Sequence, residues 1–293
     1  MEAFKPVSHA FSDTMLQVRA KPLVFLLIWL TLSMAPQLLL SYAFQQPVSD
    51  MMDTSFQLMN DAVSTETELP ELTPETSETI SKGVRAVSVM IIVLLVSEIY
   101  LGSVLAGVVR QFRNRILPVY TDSLKEGLGR FKDFARAIFV SGFKILIKPL
   151  VVFIIAAVVG SLLGQPVFIY FFFFVSGVLF LTGLLRYGLA PFIHLSLGTG
   201  GRDSAAISRT YYFSHRPVVS MLFMFIILLP MVIVSLLMNL LIGLGLFSGA
   251  GGMILGILQS LLQLTMTVVT INFAMNTFQP QDWGIGESAV IPE

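Results

Sequence analysis

The chain has 293 residues, of which 55% are hydrophobic and only 12% charged, with a mean hydropathy of +0.82. A soluble domain carries roughly 25% charged residues, so the composition excludes an ordinary water-soluble globule and points to a membrane protein. Cysteine is absent, which excludes disulfides, thiolate nucleophiles and cysteine metal sites. The formal net charge of zero is a sum of separated charges and is read loop by loop.

Residues 1–21 form an amphipathic interfacial segment. Phe4, Val7, Phe11, Met15 and Val18 recur every three or four residues, with Ser8, Asp13, Gln17 and Arg19 between them. The first apolar run, roughly Pro22 to Phe44, follows and is read as a retained span, not a signal peptide. An external loop, 45–85, then gathers Asp50, Asp53, Asp61, Glu66, Glu68, Glu71, Glu75 and Glu78 around "ELPELTPETSET". Its low hydrophobicity, proline and negative charge predict a solvated, poorly ordered segment, with a short outer-surface helix at Phe56, Leu58 and Met59.

Span two, Ala86 to Val109, holds Glu98, an acidic residue deep within a span. A carboxylate in lipid is costly and faces the bundle interior or a wet cavity. Glu98 is therefore the intramembrane functional candidate, as a structural ion pair or as part of a transport path. A basic cytoplasmic linker and interfacial helix, 110–148, follows, with Leu124, Leu128, Phe131, Ala135 and Ile138 set against Lys125, Glu126, Arg130, Lys132 and Asp133. Spans three and four run from Pro149 to Leu163 and from Val167 to Leu185. A cytoplasmic loop and short helix occupy 195–217, and spans five and six run from Val218 to Leu246 and from Met253 to Met275. All six are predicted helical, because lipid offers backbone amides no partner.

Sixteen of the 18 lysines and arginines fall on one side of this plan; only Lys82 and Arg85 lie opposite. The positive-inside rule then places both termini in the cytoplasm. Lys21–Pro22, Lys148–Pro149 and Arg216–Pro217 each stand where an amphipathic segment meets an apolar run. Proline suits the first turn of a helix and pushes the residue before it out of helical geometry. The pairs therefore predict three copies of one unit: a surface helix, a turn, a span out and a span back. The expected fold is all-α, one integral membrane domain of six transmembrane helices in three hairpins with cytoplasmic interfacial helices.

The stretches "RYGLAPFIHLSLGTGGRDSAAISRTYYFSHRPVVSMLFMFII" and "SLKEGLGRFKDFARAIFVSGFKILI" resemble the six-span membrane domain found ahead of the catalytic part of some bacterial glycerophosphodiester phosphodiesterases. Stand-alone bacterial inner-membrane proteins of unknown function share the likeness. Gly201, Ala205, Ala206 and Ser208 occupy places comparable to a loop motif of that group. The resemblance implies a fold and a bacterial inner-membrane location. It implies no reaction, since the catalytic portion has no counterpart here.

Catalytic patterns are missing from the sequence. His9, His194 and His215 stand at no metal-ligand spacing, and no GxSxG or P-loop occurs. "LGTGGRDS" is glycine-rich and opens onto a helix, so a lipid phosphate with Arg202 is one reading and a flexible turn the stronger one. Small-residue pairs such as Gly102 with Ala106, Gly160 with Gly164 and Gly245 with Gly249 are expected to pack the bundle. The interface cations Lys21, Lys125, Arg130, Lys132, Arg136, Lys148, Arg186, Arg202 and Arg216 are the candidates for lipid phosphate. The expected function is a non-enzymatic membrane-organising or accessory protein without cofactor, whose partners are membrane phospholipids and a membrane protein, not nucleic acid. The alternative is a transporter or permease for a small solute or lipid with Glu98 in its pathway.

Overall fold

The computed structural model describes residues 4–64, 73–163, 166–243 and 250–279, and among them the regular structure is helical throughout. The helices are α1 (Lys5–Ala20), α2 (Pro22–Trp29), α3 (Ala35–Ser64), α4 (Pro74–Arg113), α5 (Tyr120–Leu163), α6 (Pro166–Tyr187), α7 (Ala190–Leu197), α8 (Gly201–Ser214), α9 (Arg216–Phe223), α10 (Leu229–Gly243) and α11 (Ala250–Thr277). Five-residue π-helical turns join α2 to α3 at Leu30–Met34 and α9 to α10 at Met224–Leu228. Six stretches are long and apolar enough to cross a membrane, so the protein is a multi-pass membrane protein. The chain forms two compact units, Leu26–Leu101 and the remainder.

In the smaller unit the helices overrun the expected spans. α3 continues to Ser64 and α4 begins at Pro74, so 45–64 and 74–85 are helical where a poorly ordered loop is expected from composition. The start of α4 has a local cause. Thr73 Oγ1 accepts from the Thr76 amide at 3.2 Å, Pro74 takes the first helical position, and Glu75 stands in the first turn. The middle of the acidic segment, 65–72, lies outside the described residues, as do the uncharged turns at 164–165 and 244–249 with Gly164, Gly245 and Gly249. At 40 residues, α4 is about 60 Å long, twice the hydrocarbon thickness of roughly 30 Å. Its acidic first turns therefore extend beyond the apolar layer.

The three basic-proline pairs behave differently. At Lys21 the chain leaves helical geometry (φ −142°, ψ 60°), which separates α1 from α2. Near Arg216 the break falls one residue before the pair, at His215 (φ −130°, ψ 41°). After both breaks come an eight-residue helix, a five-residue π turn and a proline, Pro36 or Pro230. The π turn and the proline belong together, because proline cannot donate to the carbonyl four residues back and an expanded turn relaxes the ladder there. For Pro36 that carbonyl is Leu32, and the Ser97 hydroxyl of α4 donates to it.

Lys148–Pro149, by contrast, breaks nothing. α5 is one continuous 44-residue helix, which corrects the expectation of a separate interfacial helix ending at Lys148. Pro149 leaves the Ile145 carbonyl without its helical donor, and this carbonyl lies against Gly183 of α6, where an added Cβ would stand 3.1 Å from it. The Ser176 hydroxyl donates to the Pro149 carbonyl at 3.0 Å. The proline turn of this unbroken helix is therefore packed closely on α6.

The larger unit has its buried core at helix ends. Val7 and Ala10 of α1, Ile193 and Leu197 of α7, Tyr211 of α8, Val218, Val219 and Leu222 of α9, and Val269 and Phe273 of α11 pack together. Residues 190–197 are thus a buried helix, so the loop expected from 195 begins at Gly198, and a short helix follows it at Gly201–Ser214. Outside the core, the spans keep large apolar side chains exposed, Phe173 at 66% and Phe174 at 70% among them. Lipid is as apolar as these side chains, so burying them gains little. Near the basic helix ends burial does gain, at roughly 25 cal/mol per Å².

Candidate functional site

Along α5, Lys144 and Lys148 stand one turn apart. Across from them, α6 ends on Arg186 and Tyr187, and α8 contributes Arg209. Together with Ile145, Ile147, Leu179, Thr182 and Gly183 they enclose a cleft of about 340 Å³. Among the described residues no carboxylate lines it. Lys144 Nζ stands 5.6 Å from the Tyr187 ring centroid.

One ring organises the far side of the cleft. The guanidinium carbons of Arg186 and Arg216 lie 5.3 Å from the Phe213 centroid, and that of Arg209 lies 5.8 Å away. Arg216 also stands 5.8 Å from Tyr212. Aromatic faces attract cations, yet a ring does not cancel the repulsion among three guanidiniums. Arg186 Nε is buried and has no acceptor, while its backbone carbonyl accepts from the Ser208 hydroxyl at 2.8 Å, tying α6 to α8. Among the described residues the arrangement concentrates positive charge without a carboxylate in the lining, and the chemistry such an arrangement can support is anion binding.

Elsewhere the chain compensates its cations. Glu126 stands 3.5 Å from Arg110 and 3.6 Å from Arg130, and it accepts from Gln111 at 3.3 Å. Arg110 also donates to the Leu195 carbonyl at 2.7 Å. α4 and α5 approach closely above this hub: a Cβ on Gly102 would stand 2.6 Å from Phe134, and one on Gly127 would stand 2.9 Å from Val104 backbone.

A second polar cluster joins α1 to α11. The Gln17 amide donates to Asn272 Oδ1 at 3.0 Å, and Asn272 Nδ2 donates to Gln17 Oε1 at 2.9 Å and to Thr14 Oγ1 at 3.0 Å. One turn on, Asn276 donates to Asp13 at 2.8 Å. The packed face of α1 is therefore Val7, Ala10, Thr14 and Gln17, while Met15 of the expected apolar stripe is exposed at 56%.

Of the expected lipid-phosphate residues, Lys148 and Arg186 line the cleft and Arg216 flanks it. Arg130 is turned to Glu126. Lys125, Lys132 and Arg136 are exposed along α5, Lys21 is half-buried at the α1–α2 break, and Arg202 is exposed on the first turn of α8. Glu98 is half-buried on α4 and is not a lone carboxylate. The glycine-rich loop serves packing. Gly198 caps α7 at φ 68°, a Cβ on Gly201 would stand 3.3 Å from Ala137, and Thr199 and Ser204 share a hydrogen bond of 2.8 Å.

Lys144 and Arg209 were not among the sequence candidates, although the four-residue spacing of Lys144 and Lys148 and the clustering of Arg209 and Arg216 about "YYF" are visible signals. Asn272 and Asn276 were missed too, despite standing one turn apart in an apolar helix, a pattern that marks interhelical polar contact. The chain matches no family model, no curated protein and no solved structure.

Proposed function

We propose that this chain is a non-enzymatic multi-pass protein of a bacterial inner membrane that holds anionic phospholipid at its cytoplasmic end and organises lipid or a membrane-protein partner there. The observation that carries the reading is the cleft itself, in which Lys144, Lys148, Arg186 and Arg209 converge with no carboxylate among the described residues of its lining. Clusters of cations beside spans are attracted to anionic headgroups, at about 1 kcal/mol per basic residue near the surface. The distribution of lysine and arginine supports placing this end, and both termini, in the cytoplasm. The same local order around Lys21–Pro22 and Arg216–Pro217 supports a related design in the first and third hairpins, with the middle copy altered by its unbroken α5.

Lipid that co-purifies with the gently solubilised protein provides the test, read by native mass spectrometry beside the quadruple variant Lys144→Gln, Lys148→Gln, Arg186→Gln, Arg209→Gln. The reading expects retained anionic phospholipid in the wild type and its loss in the variant; equal retention by both would sink it. A protease site inserted at Thr73 should be cut from outside the cell, whereas cutting only from the cytoplasm would invert the topology.

A further inference from the structure

We propose that the cleft selects lipids whose headgroup presents at least two negative charges, either a phosphate monoester or two phosphodiesters, over those with a single phosphodiester. This rests on the lipid-binding reading above and adds the ligand class.

The argument begins with charge. Four positive side chains line the cleft, and a fifth, Arg216, stands beside it on the Phe213 ring that Arg186 and Arg209 share. The ion pairs of Glu78 with Lys82 and of Glu126 with Arg110 and Arg130 lie elsewhere. A single phosphodiester carries one negative charge and leaves most of this field unbalanced. A monoester carries about −1.5 to −2 at pH 7 and offers three acceptor oxygens, and a bis-phosphodiester spans a wider set of cations.

Geometry divides the cations into two arms. Lys144 and Lys148 stand on α5, and Arg186, Arg209 and Arg216 gather about Phe213 on the side of α6, α8 and α9. The lysines are compact point charges, while the guanidiniums present planar forks suited to phosphate oxygens. Arg186 Nε supplies a buried donor that lacks an acceptor. A headgroup that engages both arms divides its charge between them: a monoester offers three oxygens and up to two charges, two phosphodiesters offer one charge to each arm, and one phosphodiester has a single charge on two oxygens to share.

The remaining wall favours a lipid over a soluble phosphate. Ile145, Ile147 and Leu179 line the cleft, and along the Lys144–Lys148 face of α5 the next positions at helical spacing are the exposed Val151 and Ile155. An acyl chain leaving a headgroup in the cleft meets this apolar track directly.

The experiment compares purified protein titrated with phosphatidic acid (monoester), cardiolipin (two phosphodiesters) and phosphatidylglycerol (one), read by native mass spectrometry. Phosphatidic acid and cardiolipin should bind about tenfold more tightly than phosphatidylglycerol. Phosphatidic acid should also gain affinity from pH 5 to pH 7, as its second ionisation near pH 6 completes, while phosphatidylglycerol should not. Lys144→Gln with Lys148→Gln, or Arg209→Gln with Arg216→Gln, should bring all three lipids to a common weak level. Phe213→Leu keeps apolar bulk but removes the ring, and should weaken phosphatidic acid severalfold with an unchanged melting temperature.

Equal affinity for all three lipids, lost together in the lysine and arginine variants, overturns the charge selection and leaves the anionic-lipid site standing. Affinities indifferent to every variant overturn both. Full displacement of phosphatidic acid by equimolar glycerol 3-phosphate overturns the assignment to a lipid, because the acyl track would then contribute nothing.

Discussion

Replacing Asn272 by leucine tests how α1 is held. Asn272 makes three hydrogen bonds to α1, two with the Gln17 amide and one with Thr14, and its exposure is 1%. Asn272→Leu removes all three and strands the Gln17 amide in a buried setting. A net hydrogen bond contributes about 1 kcal/mol, and a stranded buried polar group costs about 1–3 kcal/mol. Thr14 still donates to the Ala10 carbonyl at 2.8 Å, so its loss is partial. The expected weakening of α1 docking is about 3 kcal/mol, or roughly a hundredfold in the opening equilibrium. The chain has no cysteine, so Val7→Cys, at a position 2% exposed in the core, provides a single reporter. Maleimide labelling follows the open population when closing is fast. It should run about a hundred times faster in Val7→Cys/Asn272→Leu than in Val7→Cys alone. Adding Gln17→Leu should recover most of the difference, because an apolar pair leaves no stranded amide. Labelling rates within twofold of each other would refute the reasoning and mean that apolar contacts such as Phe11 on Phe225, at 5.9 Å, hold α1 alone.

Three further outcomes follow from single positions. Gly127→Ala places a methyl 2.4 Å from Val104 Cγ2 and 2.9 Å from Val104 backbone, an overpacking that costs about 1–3 kcal/mol. Gly129→Ala meets nothing within 4 Å and should be neutral or stabilising, so thermal scans of the pair isolate the steric effect. Arg115 adopts φ 61° at the end of α4, where its amide and that of Ile116 close the helix on Phe112 and Gln111. Left-handed geometry costs a non-glycine residue about 1–2 kcal/mol, so Arg115→Gly should raise the melting temperature, and a fall would count against the strain. Burial beside Phe278 and Phe273 pushes the Tyr211 phenol above its ordinary value of 10.0. Its stabilising contribution is full below pH 10 and is lost as pH rises through the folded value. Wild type should therefore lose stability above pH 10 more steeply than Tyr211→Phe, as read by melting temperature against pH.

Much of the architecture was legible in the chain. Six apolar runs of spanning length need no tertiary information, since backbone groups in lipid bond within their own helix and run length alone decides the span. The breaks at Lys21 and His215 were legible to within a residue, because proline's steric demands are local. The start of α4 at Thr73–Pro74 is also encoded locally, but composition alone points to a loop there. Composition describes an average, and a cap acts at one position.

Lys148–Pro149 has the same local sequence character as the other two pairs and a different outcome. There α5 stays continuous, and Gly183 and Ser176 of another helix pack against its proline turn. The cleft follows the same logic, with Lys144, Lys148, Arg186 and Arg209 drawn from three helices and Phe213 collecting cations separated by up to 30 positions. Sequence periodicity by itself determined which segments cross the membrane and which residues are basic at their ends, because both depend on neighbours along the chain. Only tertiary packing decided which basic residues converge, that Arg110 reaches Glu126, and that α1 is bound by amides, because those choices depend on contacts between helices remote in sequence.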